Sequence, residues 1–261
     1  MGGGKTPLVS VIVNAYNEED VIGDCLKSVL NASLKGMEVI VVNDGSTDET
    51  KKIAQDFGVK VIDSSHEGLP QTRNIGAAAA KGRIICFVDA DMKVGKDYFK
   101  KIVNDIKNFD FVDHTEKSKT SNWVSDYIAY VRAHKRKPVH GRAYKKGVLE
   151  KFDPKYGYYC ESEMAERLVK KGRRFGLSSA VAYHKESTNP KVFITMGKSM
   201  VNYFRPVNLL YTISSLTPFF ALPAAARSIK YGDWRVFFWE WYAKILMSYG
   251  LMQGVLKSIK K

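Results

Sequence analysis

Four short apolar runs fall within the first ninety residues, and each is closed by a polar loop and followed by a different kind of stretch. Residues 8–13 (Leu-Val-Ser-Val-Ile-Val) and 37–42 show no polar alternation, as expected of strands buried on both faces, and 59–62 and 83–88 read as a third and a fourth strand. After the first run, Val21, Ile22, Cys25, Leu26, Val29 and Leu30 recur at helical spacing. After the second, Ser46 or Thr47 is placed to N-cap a helix running through Phe57. Residues 71–81 read as an Ala-rich helix that Gly82 would close as its C-cap. Strand and helix alternate through short connections and show no internal repeat, which predicts an α/β fold: a mostly parallel central sheet with helices on both faces.

The polar residues cluster by position. Asn17 and Glu18, Asp44 and Asp48, and Asp89 and Asp91 each follow the C-terminal end of a predicted strand. In a parallel sheet those ends share one edge, where open α/β sheets collect their ligands. The tightest group is Asp89-Ala90-Asp91, two carboxylates at the tip of the apolar run Cys86-Phe87-Val88. Oxygen ligands there suit a hard divalent cation, Mg²⁺ or Mn²⁺, that shares its coordination with substrate phosphates. The plainer alternative is an acidic turn at the start of the next helix. No phosphate-cradling glycine fingerprint follows the first strand, which argues against a dinucleotide-binding or P-loop protein.

Beyond residue 95 the pattern loosens. Residues 98–109 and 122–133 read as amphipathic helices, and 132–137 is a basic run. An aromatic cluster, Tyr156-Gly157-Tyr158-Tyr159, precedes a helix start with grouped acids at 160–168, and residues 173–183 form a strand ending at His184. Three cysteines without paired spacing (Cys25, Cys86, Cys160) argue for a reducing compartment and against a disulfide framework or zinc site. The first five residues lead into a strand without a signal-peptide apolar region, so the body is expected on the cytoplasmic side.

The chain resembles the inverting, nucleotide-sugar-dependent glycosyltransferases of family 2, with the GT-A fold. The resemblance covers roughly residues 8–190 and rests on four motifs in the family's order. They are Val-Ile-Val-Asn-Ala-Tyr-Asn-Glu-Glu (11–19), Val-Val-Asn-Asp-Gly-Ser-Thr-Asp (41–48), Thr-Arg-Asn-Ile-Gly (72–76) and Phe-Val-Asp-Ala-Asp (87–91). It implies a Rossmann-like α/β/α sandwich at 1–190, with a nucleotide-binding half at 1–95 and an acceptor half at 96–190. It further implies that Asp44, beside the Ala15-Tyr16 backbone, recognises the donor's base, that Arg73 contacts the nucleotide, and that Glu18 and Asp89 lie on the donor side. Asp91, with His184, would hold Mg²⁺ or Mn²⁺ against the diphosphate. The acceptor motif departs from the pattern: Cys160 stands where Glu is usual and Glu161 where the catalytic Asp is usual, with Glu163 as the second candidate for the base.

Composition shifts after residue 190. Residues 191–261 hold 14 of the 31 aromatics and ten Lys/Arg against Asp233 and Glu240, a net +8 of the chain's +14. Residues 207–226 form a 20-residue uncharged run interrupted by Pro218 and Pro223, and 234–256 suits a helix lying in a headgroup layer. A helical region on the cytoplasmic face of the cell membrane is therefore expected, favoured by anionic lipid; packing on the catalytic domain or a dimer contact is the alternative. The expected activity is a metal-dependent inverting transfer from a UDP- or GDP-linked sugar to a lipid-linked or glycan acceptor. A non-catalytic nucleotide-sugar- or membrane-binding module of the same fold is the second reading. Nucleic acid is not expected as a partner, because basic and aromatic residues interleave mainly in the apolar tail.

Overall fold

The computed structural model describes residues 6–118 and 140–184, and beyond them 194, 195, 198, 238, 242 and 245–253. The expected helix at 122–133, the basic run at 132–137 and the uncharged run at 207–226 lie outside the described residues. The chain divides into two compact units, the first comprising Met1–Lys119, Ala129–Pro154 and Cys160–Lys185 and the second the remainder.

In the first unit, strands β1 (Val9–Ala15), β2 (Met37–Asn43), β3 (Lys60–Asp63) and β4 (Ile84–Asp89) alternate with helices α1 (Ile22–Asn31), α2 (Thr50–Asp56) and α3 (Leu69–Ala79). A short β5 (Met92–Val94), α4 (Tyr98–Asp105), β6 (Phe111–Ser118), β7 (Ala143–Lys145), α5 (Cys160–Lys170) and β8 (Phe175–His184) follow. The eight strands form one sheet in the order β3-β2-β1-β4-β7-β6-β8-β5. The first four are wholly parallel, with β1 central between β2 and β4. β7 then runs antiparallel to both β4 and β6, β6 is parallel to β8, and β5 is antiparallel to β8.

Alternate side chains of the buried strands supply two cores. Val9, Val11 and Val13 of β1 and Cys86 and Val88 of β4 join Ile22, Cys25, Leu26 and Val29 of α1 and Tyr98, Phe99 and Ile102 of α4. On the other face Phe87 meets Tyr144 and Phe152 edge-on, at 6.1 and 5.4 Å between centroids. α3 closes onto that face at Gly76, where a Cβ would stand 2.4 Å from Ile12 Cγ2. The glycine of the Thr-Arg-Asn-Ile-Gly motif is thus a helix–strand packing requirement.

Two local expectations are corrected. Gly82 is not the C-cap of α3, which ends at Ala79 with Ala80 in an extended conformation. Gly82 instead abuts β1: its N–H donates to Ser10 Oγ at 2.7 Å, and a Cβ would fall 2.5 Å from the Ser10 nitrogen. A glycine after a helix reads the same in sequence whether it reverses the chain or admits a neighbouring backbone. Nor does Ser46 or Thr47 cap α2, whose N-cap is Glu49. Asp48 does the nearest equivalent work, its Oδ1 accepting from the Thr50 N–H at 3.0 Å.

Candidate active site

The carboxyl edge of the parallel strands is built by two loops laced together. Asn17, in the left-handed region at φ 53°, accepts the Thr47 N–H at 2.8 Å, while its own N–H donates to Ser46 Oγ at 3.0 Å. The Glu18 N–H donates to Thr50 Oγ1 at 2.7 Å and the Glu19 N–H to Asp48 Oδ2 at 3.2 Å. Asp44 is buried behind them. Its N–H donates to the Ala15 carbonyl at 2.8 Å, and its carboxylate accepts from Ser64 Oγ, the Glu67 N–H and the Gly68 N–H, each at 2.9 Å. Asp44 therefore anchors the 64–68 loop to the end of β2. That loop brings His66 against Tyr16, ring centroids 4.1 Å apart, and leaves both rings open at the rim.

Asp89 and Asp91 sit where β4 gives way to β5. Pairing of Met92 with His184 in the β5–β8 ladder carries the histidine to this point, and its Nε2 lies 3.2 Å from Asp91 Oδ2. The other Asp91 oxygen, Oδ1, is buried and has no hydrogen-bond partner. Burying a carboxylate oxygen without a donor is costly unless a cation completes it. Glu18 shares the same field: burial, reinforced by Asp91, Asp89 and Asp48, pushes its carboxyl up to about 7. Among the described residues no three acidic, histidine or cysteine side chains gather into a closed metal cage. The Asp91–His184 pair instead suits a cation completed by substrate phosphates, the usual arrangement for Mg²⁺ and Mn²⁺.

Behind the acidic edge lies a buried charge network. Arg73 of α3 is fully buried; its Nη2 donates to Asp89 Oδ1 at 2.9 Å and its Nη1 lies 2.8 Å from Glu161 Oε1. Arg142, which immediately precedes β7, sends Nη1 to Asp89 Oδ2 at 2.6 Å and to Glu161 Oε1 at 3.0 Å. Burial alone would raise the Asp89 and Glu161 carboxyls, but the Arg142 and Arg73 guanidiniums outweigh it and hold both below the usual carboxylate range. The Arg73 guanidinium also lies 5.6 Å over Phe87 and 5.8 Å over Phe152. Its place is beneath Asp89, where it fixes that carboxylate.

The acceptor-side candidates occupy different settings. Glu161, in the first turn of α5, is only 4% exposed, with Oε1 given over to the two arginines and Oε2 3.3 Å from His140 Nδ1. Glu163 makes a two-pronged pair with Arg167 one turn on, at 2.8 and 3.1 Å, which engages both its oxygens. The Cys160 thiol lies 3.6 Å from Arg73 Nη1, and burial pushes it up to about 12, so it stays neutral. Two arginines then face two core carboxylates, Asp89 and Glu161, with Glu116 at 3.4 Å from Arg142 Nη2.

Arg142 and His140 carry no signal in the sequence reading. Both fall in the loosely patterned stretch beyond residue 95, and their partners stand 53 and 21 positions away. The one available hint is an arginine running directly into the apolar pair Ala143-Tyr144, where a charge is buried only if paired.

Residues 10–126 match the sequence pattern of Glycosyl transferase family 2. The uncharacterized glycosyltransferase EpsJ of Bacillus subtilis (strain 168) is 39% identical over 104 residues, covering 38% of this chain and 30% of its own. An uncharacterized glycosyltransferase of Haemophilus influenzae is 30% identical over 162 residues, covering 60% of this chain and 47% of its own. The chain thus spans less than half the length of these relatives. The mannosyltransferase PcManGT of Pyrobaculum calidifontis, solved with GDP-Man and Mn²⁺, superimposes with a TM-score of 0.68 at 17% identity, over 96% of this chain and 88% of its own. S. aureus TarS 1-349, solved with UDP-GlcNAc, gives a TM-score of 0.57 at 19% identity, over 74% and 66%. These likenesses establish the GT-A type of α/β fold.

Proposed function

We propose that the chain, whose residues 10–126 match the Glycosyl transferase family 2 pattern, is a metal-dependent inverting glycosyltransferase that uses a UDP- or GDP-linked sugar. The observation that carries this reading is Asp91: a carboxylate with one buried, unpartnered oxygen, paired through the other with His184, at the carboxyl edge of a parallel sheet. Asp91 and His184 would hold the cation. When bound, it supplies charge stabilisation to the diphosphate leaving group.

The chain's own residues do the rest. Asp89, fixed by Arg73 and Arg142, presents an ionised carboxylate to the donor side. Asp44 holds the 64–68 loop, and Tyr16 and His66 at its rim offer open ring faces to a nucleobase. Glu161, opposite Asp89 across the two guanidiniums, is the ionised carboxylate at the position of the base. Removal of the acceptor hydroxyl's proton on that side, with departure of the diphosphate on the other, inverts the anomeric centre. Such base catalysis contributes about 10²–10⁴-fold.

The donor site is tested by calorimetric titration with UDP and GDP, each with Mn²⁺ and then with EDTA. Binding of one nucleotide, at least tenfold weaker in EDTA, is the expected result, and it names the donor's base. GDP-Man and UDP-GlcNAc in the structures of PcManGT and TarS make both nucleotides worth testing. No binding of either would leave the non-catalytic reading.

The acceptor is proposed to be lipid-linked or a glycan at the cytoplasmic face of the cell membrane. Residues 245–253 are helical, and Ile245, Tyr249 and Met252, spaced four and three apart, are all exposed. Together with the net +8 of residues 191–261, that apolar stripe fits a helix lying in an anionic headgroup layer. Among the described residues no helix is long and apolar enough to cross a membrane. The full chain is expected to co-sediment with phosphatidylglycerol vesicles and far less with phosphatidylcholine vesicles, the difference shrinking in high salt. Equal recovery in both supernatants would argue against membrane attachment.

A further inference from the structure

We infer that His140 is the group that takes the acceptor's proton, and that Glu161 acts through it as a positioning carboxylate. The inference rests on the transferase reading and deepens it at the acceptor side. Glu161 itself is badly placed for direct proton abstraction. It is 4% exposed, and its Oε1 is shared by Arg73 at 2.8 Å and Arg142 at 3.0 Å. Those guanidiniums, against the effect of burial, hold it below the usual carboxylate range, and a weaker base pulls less on a hydroxyl proton.

Its free oxygen points to a better one. Oε2 lies 3.3 Å from His140 Nδ1, and the His140 side chain is 37% exposed against 6% for that of Glu161. Nδ1 is shut off from solvent, so the exposed surface of the side chain lies on its other atoms. The Nδ1–Oε2 contact is at ion-pair distance, and Nδ1 has no other partner among the described residues. Catalytic hydrogen bonds are commonly loose until substrate binds. A buried carboxylate behind one ring nitrogen fixes the tautomer whose other nitrogen can accept a proton, and it stabilises the imidazolium that results. Arg73 and Arg142 tie this pair to Asp89, so the dyad shares its anchor with the donor-side carboxylate.

The step balances. The acceptor O–H bond breaks and its proton goes to His140 Nε2, while the oxygen forms the new bond to the anomeric carbon. The bond from that carbon to the diphosphate oxygen breaks, and its electron pair leaves with the nucleoside diphosphate.

The experiment uses the full chain with Mn²⁺ and measures nucleotide release from UDP-glucose, UDP-GlcNAc and GDP-mannose, water serving as the acceptor. His140→Ala is expected to lower kcat by about 10²–10⁴-fold with KM within threefold, and added imidazole is expected to restore part of the loss in proportion to its concentration. His140→Asn should fail in the same way without rescue, and both variants should keep the wild-type melting temperature and nucleotide affinity. A His140→Ala enzyme that keeps its kcat, or one whose loss is indifferent to imidazole, would overturn the assignment while leaving the transferase reading intact. A wild-type protein that binds no nucleotide and turns over no donor would remove both.

Discussion

Asp91→Asn is expected to abolish turnover, by about 10³-fold or more, while leaving the protein as stable as the wild type. The loss follows from its position. Asp91 Oδ1 has no hydrogen-bond partner, so the fold loses no contact there, and Oδ2 touches His184 at 3.2 Å, the contact that would pass to a shared cation. Losing charge stabilisation at a leaving group typically costs 10²–10³-fold for one donor, and a cation supplies more than one. Stability is expected to hold or rise slightly, because Asp91, after burial, is the next largest cause of the raised Glu18 carboxyl. Removing that charge should bring Glu18 back toward the ordinary carboxylate range. The checks are nucleotide release, Mn²⁺-dependent nucleotide binding and thermal melting on one preparation. Retained Mn²⁺-dependent binding would show that the cation sits elsewhere; a melting temperature lowered by many degrees would show Asp91 to be structural.

What could be read from the sequence was what periodicity and strand-end position encode. β1, β2 and β4 announce themselves because a strand buried on both faces has no polar alternation, and Asp89 and Asp91 are conspicuous because two carboxylates close an otherwise apolar run. The pairing of Asp91 with His184 came from the family resemblance and not from periodicity, because His184 reaches Asp91 through the antiparallel β5–β8 ladder, and β5 has three residues, too short for a pattern to show. The mixed half of the sheet was missed for the same reason, since β7 is equally short. Arg73 shows a different limit. An arginine on an amphipathic helix is exposed by default, so its complete burial follows only from partners 16 and 88 residues away, Asp89 and Glu161. The acceptor motif was legible as a departure, Cys160-Glu161, but not as to its consequence. A neutral thiol at 160 adds no charge to the balance of Arg73 and Arg142 against Asp89, Glu161 and Glu116 that holds Glu161 in its buried place.

The same balance sets the second large effect. Arg142→Met is expected to destabilise the protein by about 3–5 kcal/mol, because it leaves Asp89 and Glu161 with only Arg73 between them in a buried site. For a chain of this size each kcal/mol lowers the melting temperature by roughly 2–4 °C, so a fall of about 6–20 °C is expected. Adding Glu161→Gln to Arg142→Met should recover part of that loss, since it removes the charge the substitution stranded. A double variant whose losses simply add would mean that the two groups are not coupled. The pH dependence follows from the direction of the shifts. Asp89 and Glu161 have folded-state carboxyls below their unfolded values, so their contribution is fully present above about pH 4 and is lost as pH falls through the lower folded values. Acidification below about pH 4 should therefore cost the wild type more than Arg142→Met, and the two melting curves should converge. If they stay parallel on acidification, Arg142 stabilises by packing its stem, and Asp89 is held by Arg73 alone.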